Sequence, residues 1–190
     1  MLTLAEAGQA KLVEKRSRFL AFAFPIQTQE DIQRHLAELG RRHHAARHIA
    51  YAWRLAGEEG AHDAGEPRGT AGLPILQLLR ARGIEGALVA VVRYFGGVKL
   101  GVGGLCRAYR EAARLALEAA GVVERTPVRR VRVRTPLAKL GATLGALARL
   151  GAKVHAQDYS GAVVLEVELP AGREGELREL LAAWAEVEGG

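Results

Sequence analysis

The chain contains, at residues 87–121, the stretch ALVAVVRYFGGVKLGVGGLCRAYREAARLALEAAG, which carries the signals for a strand, a glycine-rich loop and a helix. Ala87 to Val92 is a continuous apolar run, which is typical of a buried strand. Leu105 to Ala120 is rich in helix-forming residues and is followed by Gly121, which predicts a helix with a glycine C-cap. Five residues recur at helical spacing and are predicted to form its buried stripe: Leu105, Ala108, Ala112, Leu115 and Ala119.

The loop between this strand and this helix holds five glycines within nine residues: Gly96, Gly97, Gly101, Gly103 and Gly104. One interpretation is a tight crossover whose backbone packs against a neighbouring element. The other is a binding site for phosphate or an acidic partner, because a helix N-terminus presents unpaired N–H groups, and Arg93, Lys99 and Arg107 add positive charge. The spacing matches neither the dinucleotide pattern G-x-G-x-x-G nor the P-loop pattern, so both interpretations stay open.

A second polar, glycine-rich segment, residues 57–72, precedes a helix predicted at Pro74–Arg82. It contains Glu66, Arg68, Gly69 and Thr70 close together. One interpretation is structural, with Thr70 as the N-cap of the helix. The alternative is that this loop meets the Gly96–Gly104 loop and that the two form one recognition surface, since long loops in compact domains are often functional.

The rest of the first half gives simpler signals. Residues 11–24 are predicted to form a single strand that is buried on both faces near its end. Thr28, with Asp31 three residues later, predicts the capped start of a helix that Gly40 ends. A further strand is predicted at Ile49–Leu55, preceded by a basic turn.

The sequence predicts a linker at Thr126-Pro127, and therefore two domains, residues 1–125 and 126–190. The second is expected to follow the order strand, helix, strand, strand, helix, which suits a small ferredoxin-like α+β domain. Its predicted elements are strand Val128–Thr135, helix Ala138–Leu150, strand Ala152–Tyr159, strand Ala162–Leu169 and helix Glu174–Trp184.

Three arginines, Arg130, Arg132 and Arg134, share one face of the first strand of this second domain. They are candidates for gripping nucleic acid or an acidic partner. The competing interpretation is a solvated face, or pairing with Glu166 and Glu168 across the sheet. The strand lacks the aromatic residues that stack RNA bases, which argues against sequence-specific RNA recognition.

Composition and charge limit the kinds of protein to which this chain can belong. The 190 residues carry a formal net charge of +6, and residues 126–153 are basic whereas residues 154–190 are mostly acidic. No apolar run is long enough for a membrane span, and the N-terminus is too polar for a signal peptide, so a cytoplasmic protein is expected. The single cysteine, Cys106, is expected to be a buried helix residue, and His44 and His48 lack the further ligands of a zinc site. We therefore expect no metal, no cofactor and no catalytic residues.

Four segments together resemble the IMPACT family, in particular its two-domain bacterial members, which are called YigZ-like. They are EKRSRFLAFA (14–23), HIAYAWRL (48–55), GEPRGTAGLPIL (65–76) and RYFGGVKLGVGGLCRAY (93–109), in the order in which the family has them. The last two segments supply the candidate binding residues: Glu66, Arg68, Gly69, Thr70, Arg93, Tyr94, Gly96, Gly97, Lys99, Gly101, Gly103, Gly104, Arg107 and Tyr109. The family usually has two acids before Gly-Glu-Pro, whereas here Asp63 is followed by Ala64.

The resemblance implies an α+β fold in two domains. The first would be similar to the second domain of a small-subunit ribosomal protein, and the second to the fifth domain of elongation factor G. Eukaryotic members restrain the amino-acid-starvation response by competing for a protein that activates its kinase. The resemblance thus implies a role in translation or its stress control.

Three functions are weighed. The preferred one is a binding and regulatory protein at the translation apparatus, with a translation-associated protein or the ribosome as partner and RNA as a further contact. The second is an enzyme acting on a phosphorylated or nucleotide substrate, with Glu66 as acid or base and Arg93, Lys99 and Arg107 holding phosphate. The third is a nonspecific nucleic-acid-binding protein.

Overall fold

The computed structural model describes residues 1–159 and 161–189. The chain divides into two compact units, Met1–Arg125 and Thr126–Gly190, and each has its own buried core. Both units combine helices with antiparallel sheets, so the α+β class predicted from the sequence is confirmed. Within the described residues, none of the helices is long and apolar enough to cross a membrane.

Unit 1 is built on a five-stranded antiparallel sheet. Its strands are β2 (Gly8–Glu14), β3 (Ser17–Pro25), β4 (His48–Leu55), β5 (Glu58–His62) and β6 (Ala87–Tyr94). They lie in the order β2-β3-β6-β4-β5. Two short strands, β1 (Leu2–Leu4) and β7 (Val122–Glu124), pair in a separate ribbon. The central strand β6 is covered on both faces, which explains the continuous apolar run in its sequence.

Three helices cover this sheet: α1 (Gln29–Arg42), α2 (Gly72–Ala81) and α3 (Gly101–Ala120). Helices α2 and α3 pack on one face, where the alternating strand residues Phe19, Ala21 and Val91 are fully buried. Helix α1 packs on the other face against Phe22 and Val92. The capping box predicted at Thr28 and Asp31 is present, with each side chain accepting a hydrogen bond from the other residue's backbone N–H.

The single strand predicted at residues 11–24 is wrong. The segment is a hairpin in which Lys15 and Arg16 form the turn between β2 and β3, with φ values of 44° and 65°. Two-residue hairpin turns usually place Asn or Gly at such left-handed positions, because a side chain strains the backbone there. The Lys-Arg pair carries none of these turn signals, which is why the sequence pattern missed the turn.

Two other predicted boundaries are corrected. The polar loop 57–72 is shorter than expected, because Glu58–His62 pairs with β4 as strand β5. Helix α1 does not end at Gly40 but continues to Arg42.

Helix α3 begins at Gly101, four residues before the predicted start, so three of the loop glycines lie in its first turn. Its cap at Gly121 is as predicted, with the Gly121 N–H donating to the carbonyls of Leu117 and Glu118. The predicted buried stripe is partly wrong: Leu115 is half-buried and Ala119 is exposed. Because α3 is covered by both the sheet and α2, its buried face is wider than one stripe and includes Tyr109, Ala113, Ala116 and Leu117.

Unit 2 has the order β-α-β-β-α-β. Its elements are β8 (Val128–Thr135), α4 (Leu140–Arg149), β9 (Lys153–Asp158), β10 (Val163–Pro170), α5 (Glu174–Leu181) and β11 (Glu186–Glu188), with a 3₁₀ turn at Leu137–Lys139. The antiparallel sheet has the order β11-β8-β10-β9. This is the arrangement of a split βαβ, or ferredoxin-like, fold. Strand β11 was not predicted, and α5 ends at Leu181 rather than at Trp184.

The strained hairpin turn gives a test of the fold. We expect Lys15→Asn combined with Arg16→Gly to raise the free energy of unfolding of the protein by about 1 kcal/mol, because Asn and Gly tolerate the left-handed backbone. Urea unfolding followed by Trp53 fluorescence measures this, with Trp184→Phe as the common background so that Trp53 is the only tryptophan. A lower unfolding free energy in the double variant would show that these side chains stabilise the turn.

Candidate functional site

The carboxylate of Glu66 is the point where four parts of unit 1 meet. The side chain is only 4% exposed, and its Oε1 atom accepts hydrogen bonds from Arg93 Nη1 and from the Tyr109 hydroxyl, both at 2.7 Å. His48 Nε2 lies 4.0 Å from the same oxygen. Glu66 comes from the loop before α2, Arg93 from the end of β6, Tyr109 from α3 and His48 from the start of β4. We call Ser17, His48, Glu66, Arg93 and Tyr109 the Glu66 cluster.

Arg93 links this cluster to the β2–β3 hairpin. Its side chain is 6% exposed, and its guanidinium carbon lies 5.6 Å from the ring centre of Phe19 and 5.5 Å from that of Phe95. Its Nη2 atom donates to the hydroxyl of the fully buried Ser17 at 3.5 Å, whereas its buried Nε atom has no hydrogen-bond partner among the described residues. A buried ion pair of this kind holds its surroundings in register, because separating the partners leaves an uncompensated charge inside the protein.

Tyr109 acts in the cluster as a neutral hydrogen-bond donor. Burial, together with the hydrogen bond to Glu66, raises the pKa of the Tyr109 hydroxyl far above its ordinary value. The ring also packs edge-on against Phe19, with 5.2 Å between the ring centres. Tyr109 was predicted as a binding residue, but it is completely buried, so its role in this structure is to fix α3 against the Glu66 loop.

Asp63 organises the other end of the same loop. Its carboxylate accepts hydrogen bonds from the backbone N–H groups of Gly69 at 2.8 Å, Ala71 at 3.2 Å and Gly72 at 2.9 Å. Burial acts to raise the pKa of Asp63, but these three hydrogen bonds outweigh it and leave the pKa below its ordinary value. Asp63 therefore holds the N-terminus of α2 as an ionised group.

This arrangement corrects the predicted role of Thr70. Its hydroxyl donates to the carbonyl of Pro67 at 2.5 Å, and the residue at the N-cap of α2 is Ala71, whose side chain makes no capping hydrogen bond. Thr70 is buried, so it too stabilises the loop from inside. The capping function belongs to Asp63, which lies outside the local spacing that a capping pattern searches.

Two glycines of the second loop, Gly96 and Gly103, are under different packing constraints. At Gly96 a Cβ atom would lie 2.1 Å from the carbonyl of Arg16, so only glycine permits the hairpin turn to approach the loop, and the Gly96 N–H donates to Ser17 Oγ at 3.2 Å. The tight-crossover interpretation accounts for this position. At Gly103, by contrast, a Cβ atom would meet only the guanidinium of Arg107, with Nη1 at 3.2 Å. That side chain is flexible, so packing alone does not require glycine at position 103.

The loop before α2 contacts helix α3 just after the Gly96–Gly104 loop, and the idea that the two loops form one recognition surface stays a prediction. Cys106 Sγ on α3 lies 3.9 Å from the carbonyl oxygen of Gly69, and Cys106 is half-buried rather than buried. In residues 63–75 and 95–107 the exposed side chains are basic or apolar, with Phe95 51% and Val102 62% exposed. We call these exposed residues the loop surface: Arg68, Leu73, Phe95, Val98, Lys99, Val102 and Arg107. Tyr94 is not part of it, because its hydroxyl lies 2.8 Å from His43 Nδ1 and its ring is covered by Arg18.

The predicted arginine face of unit 2 exists but is flanked by carboxylates. Arg130, Arg132 and Arg134 are exposed on β8, and the strand pairing places Glu168, Glu166 and Glu186 respectively next to them. Glu188 lies opposite Arg132 on β11, and Arg132 Nη2 is 3.6 Å from Glu166 Oε1. The cross-strand pairing that the sequence offered as an alternative is therefore present on this face.

Comparison with known proteins shows that the Glu66 cluster lies in a region shared with a protein family. The model of the Impact N-terminal domain family matches residues 15–117, a range that contains the whole Glu66 cluster. IMPACT family member YigZ of Escherichia coli (strain K12) is 33% identical over 187 residues, which cover 94% of this chain and 91% of that protein. The chain belongs to the IMPACT family.

Other IMPACT proteins give similar matches. The Thermus thermophilus protein described as an IMPACT family member in the pol 5' region is 39% identical over 161 residues, covering 85% of this chain and 88% of that one. The match to YvyE of Bacillus subtilis (strain 168), 39% identical over 131 residues, spans 60% of the length of that relative. A solved structure described only as that of a hypothetical protein has a TM-score of 0.71 at 30% identity, and the alignment covers 99% of this chain and 96% of that one.

All four segments that carry the IMPACT resemblance contribute to the Glu66 cluster. Ser17 comes from the first, His48 from the second, Glu66 from the third, and Arg93 and Tyr109 from the fourth. Ser17, His48 and Asp63 were not among the predicted site residues. The signal that could have found them was their position in or beside these segments.

Disrupting the ion pair tests whether the cluster holds unit 1 together. We expect Glu66→Gln to lower the free energy of unfolding by about 3 kcal/mol, because it leaves the Arg93 charge buried without its partner. Adding Arg93→Met should recover part of that loss, since removing both charges restores neutrality. Urea unfolding of the two single variants and the double variant measures the coupling, and additive effects of the two substitutions would contradict the pairing.

Gly96 and Gly103 should respond differently to substitution by alanine. We expect Gly96→Ala to lower the unfolding free energy by several kcal/mol, because the new Cβ atom collides with the backbone of Arg16. Gly103→Ala, within helix α3, should raise it by up to about 1 kcal/mol, since alanine favours the helix and only the Arg107 side chain has to move. Thermal unfolding of both variants gives the comparison, and equal destabilisation would show that position 103 is also restricted by packing.

Proposed function

We propose that this IMPACT protein is a binding protein with a regulatory role at the translation apparatus, and that it contacts its partner through the loop surface. A cytoplasmic location belongs to the same proposal. The observation that carries the proposal is that the buried and the exposed residues of unit 1 have different roles. Polar groups inside the unit fix the two loops, and the side chains that the loops leave exposed are apolar and basic.

The composition of the loop surface supports binding to another macromolecule. Four exposed aliphatic or aromatic side chains lie beside three cationic ones, and none of the seven residues is acidic. Exposed apolar residues that cluster and are rimmed by polar groups mark interaction sites more often than chance exposure does. Phenylalanine and arginine are also among the residue types enriched at the centres of protein interfaces.

The enzyme hypothesis has weaker support in this geometry. It assigned Glu66 as an acid or base and Arg93 as a phosphate ligand, yet these two groups neutralise each other inside unit 1. Phosphate binding would have to rely on the exposed Lys99 and Arg107. A mutually paired and buried carboxylate is also poorly placed to exchange protons with a substrate.

The link to translation rests on the family. The IMPACT resemblance implies a role in translation or its stress control, and the basic loop surface suits either a ribosomal partner or an acidic protein. RNA binding by unit 2 is a less favoured part of the proposal, because glutamates lie beside Arg130, Arg132 and Arg134. These carboxylates reduce the positive potential that a phosphate backbone would require.

Co-sedimentation with purified ribosomes, at low and at near-physiological salt, tests the proposal. We expect the protein to be retained at the higher salt, and Phe95→Ala or Lys99→Ala to weaken retention about tenfold, as loss of a central interface residue does. Arg41→Ala is the matched control, because Arg41 is exposed on α1, on the opposite face of the sheet.

The other outcomes are equally informative. Retention at low salt only, unaffected by the loop-surface variants, would indicate nonspecific attraction to RNA. Absence of retention at both salt concentrations would contradict a ribosomal partner.

A further inference from the structure

A groove of about 480 Å³ runs beside the loop surface, between the β2–β3 hairpin and helix α3. Its floor is apolar and is formed by Leu12, Leu100 and Ala108. Its walls carry the charged residues Glu14, Lys15, Arg107, Arg110, Glu111 and Arg114. The volume is in the range of sites that enclose a few side chains or a small ligand.

Some of the charged side chains along the groove form ion pairs with one another, and others do not. Arg114 pairs with Glu111 at 2.6 Å and also reaches Glu118, so these groups satisfy one another. Lys15, Arg107 and Arg110 take part in no ion pair within the part of the chain that the structure describes. The groove therefore combines an apolar floor with three cationic groups that form no ion pair among the described residues.

One of these cations lies at the strained turn of the hairpin. Lys15 and Arg16 keep long basic side chains at positions where the backbone favours glycine or asparagine. The turn is held in place by its close approach to Gly96 and by the hydrogen bond from Gly96 to Ser17. A basic residue kept at a strained position suggests that its side chain is needed there, since strain that persists at one site is a pointer to function.

We propose that this groove binds an acidic peptide segment of a partner protein, with an aliphatic side chain on the floor and carboxylates against Lys15, Arg107 and Arg110. The inference rests on the binding role proposed above and names the chemistry of the partner. Charge complementarity selects an acidic occupant, and the apolar floor selects an aliphatic anchor between the acids.

A peptide fits these observations better than a nucleic acid does. Glu14 and Glu111 lie in the groove; Glu111 is offset by Arg114, but Glu14 forms no ion pair among the described residues and would repel a continuous phosphate backbone. Among the described residues, no aromatic side chain lines the groove, so unpaired bases would have no surface there on which to stack. Carboxylates spaced along a peptide, by contrast, can reach the three cations and avoid the two acids.

Selection from a random dodecapeptide display library, with the full chain as bait, tests the inference. We expect the enriched peptides to combine Asp or Glu with Leu, Ile or Val. Fluorescence anisotropy with a labelled peptide of the enriched sequence should then show affinity reduced at least about tenfold by Arg107→Glu or Arg110→Glu. The matched control is Arg41→Glu, which makes the same charge change on α1 and should leave affinity unchanged.

The turn provides a second, independent readout. Lys15→Asn with Arg16→Gly should weaken peptide binding about threefold or more, although the same double variant is expected to unfold less readily. A loss of affinity with increased stability cannot come from damage to the fold. Unchanged affinity in this variant and in the two charge reversals would overturn the assignment of the groove.

The remaining outcomes also decide between explanations. Enrichment of peptides without acidic residues would contradict the proposed charge complementarity. Binding of labelled oligouridylate through Arg107 and Arg110, with no peptide enriched, would replace the proposal with a nucleic-acid site. Peptide binding that depends on the groove, without ribosome retention, would contradict the translational role but leave the groove assignment intact. Ribosome retention that depends on Lys99, without any peptide that binds the groove, would support the translational role and contradict the groove assignment.

Discussion

The structure of unit 1 depends on keeping one buried carboxylate paired. An ionised Glu66 in the protein interior would cost several kcal/mol if it were alone. Arg93 and Tyr109 supply the compensating hydrogen bonds, and they come from the end of β6 and from the third helix respectively. The requirement to satisfy one side chain thus fixes the loop before α2 against two elements that are far away in sequence. Ser17 extends the same network to the hairpin through Arg93 and Gly96.

This constraint separates residues that look alike in the sequence. Glu66 and Arg68 are two positions apart in one polar loop, yet the first is buried and the second exposed. Polar residues are usually exposed, so a pattern of polar and glycine residues does not distinguish the buried members of such a loop from the exposed ones. The structure shows that Glu66, Thr70, Arg93 and Tyr109 are buried, whereas Lys99 and Arg107 are on the surface. The exposed residues can present a defined surface because the buried ones hold the loops.

What the sequence could predict follows from the range of the interactions involved. The capping box at Thr28, the glycine cap at Gly121 and the apolar run of β6 depend on neighbours within a few residues, and all three are present. The hairpin turn at Lys15 and Arg16 depends instead on its contact with Gly96, about eighty positions away, and it lacks any local turn signal. The Glu66 cluster is likewise a set of distant contacts. The sequence pattern and the family resemblance marked Glu66, Arg93 and Tyr109 as candidates, but neither indicated that they contact one another, and Ser17 and His48 were missed.

The charges of unit 2 show how strand order changes the meaning of a sequence pattern. Among the charged residues of unit 2, those in 126–153 are basic and those in 154–190 are mostly acidic. The basic strand β8, however, lies between β10 and β11, both of which come from the acidic part. The sheet therefore alternates rows of arginine and glutamate, and a segment that looks strongly basic in sequence becomes a nearly balanced surface. In unit 1 the reverse holds, because Lys15, Arg107 and Arg110 are scattered in sequence but are brought to one groove. The attraction for an acidic partner is thus expected where the fold gathers cations that form no ion pair among the described residues, and not where the sequence contains the most arginines.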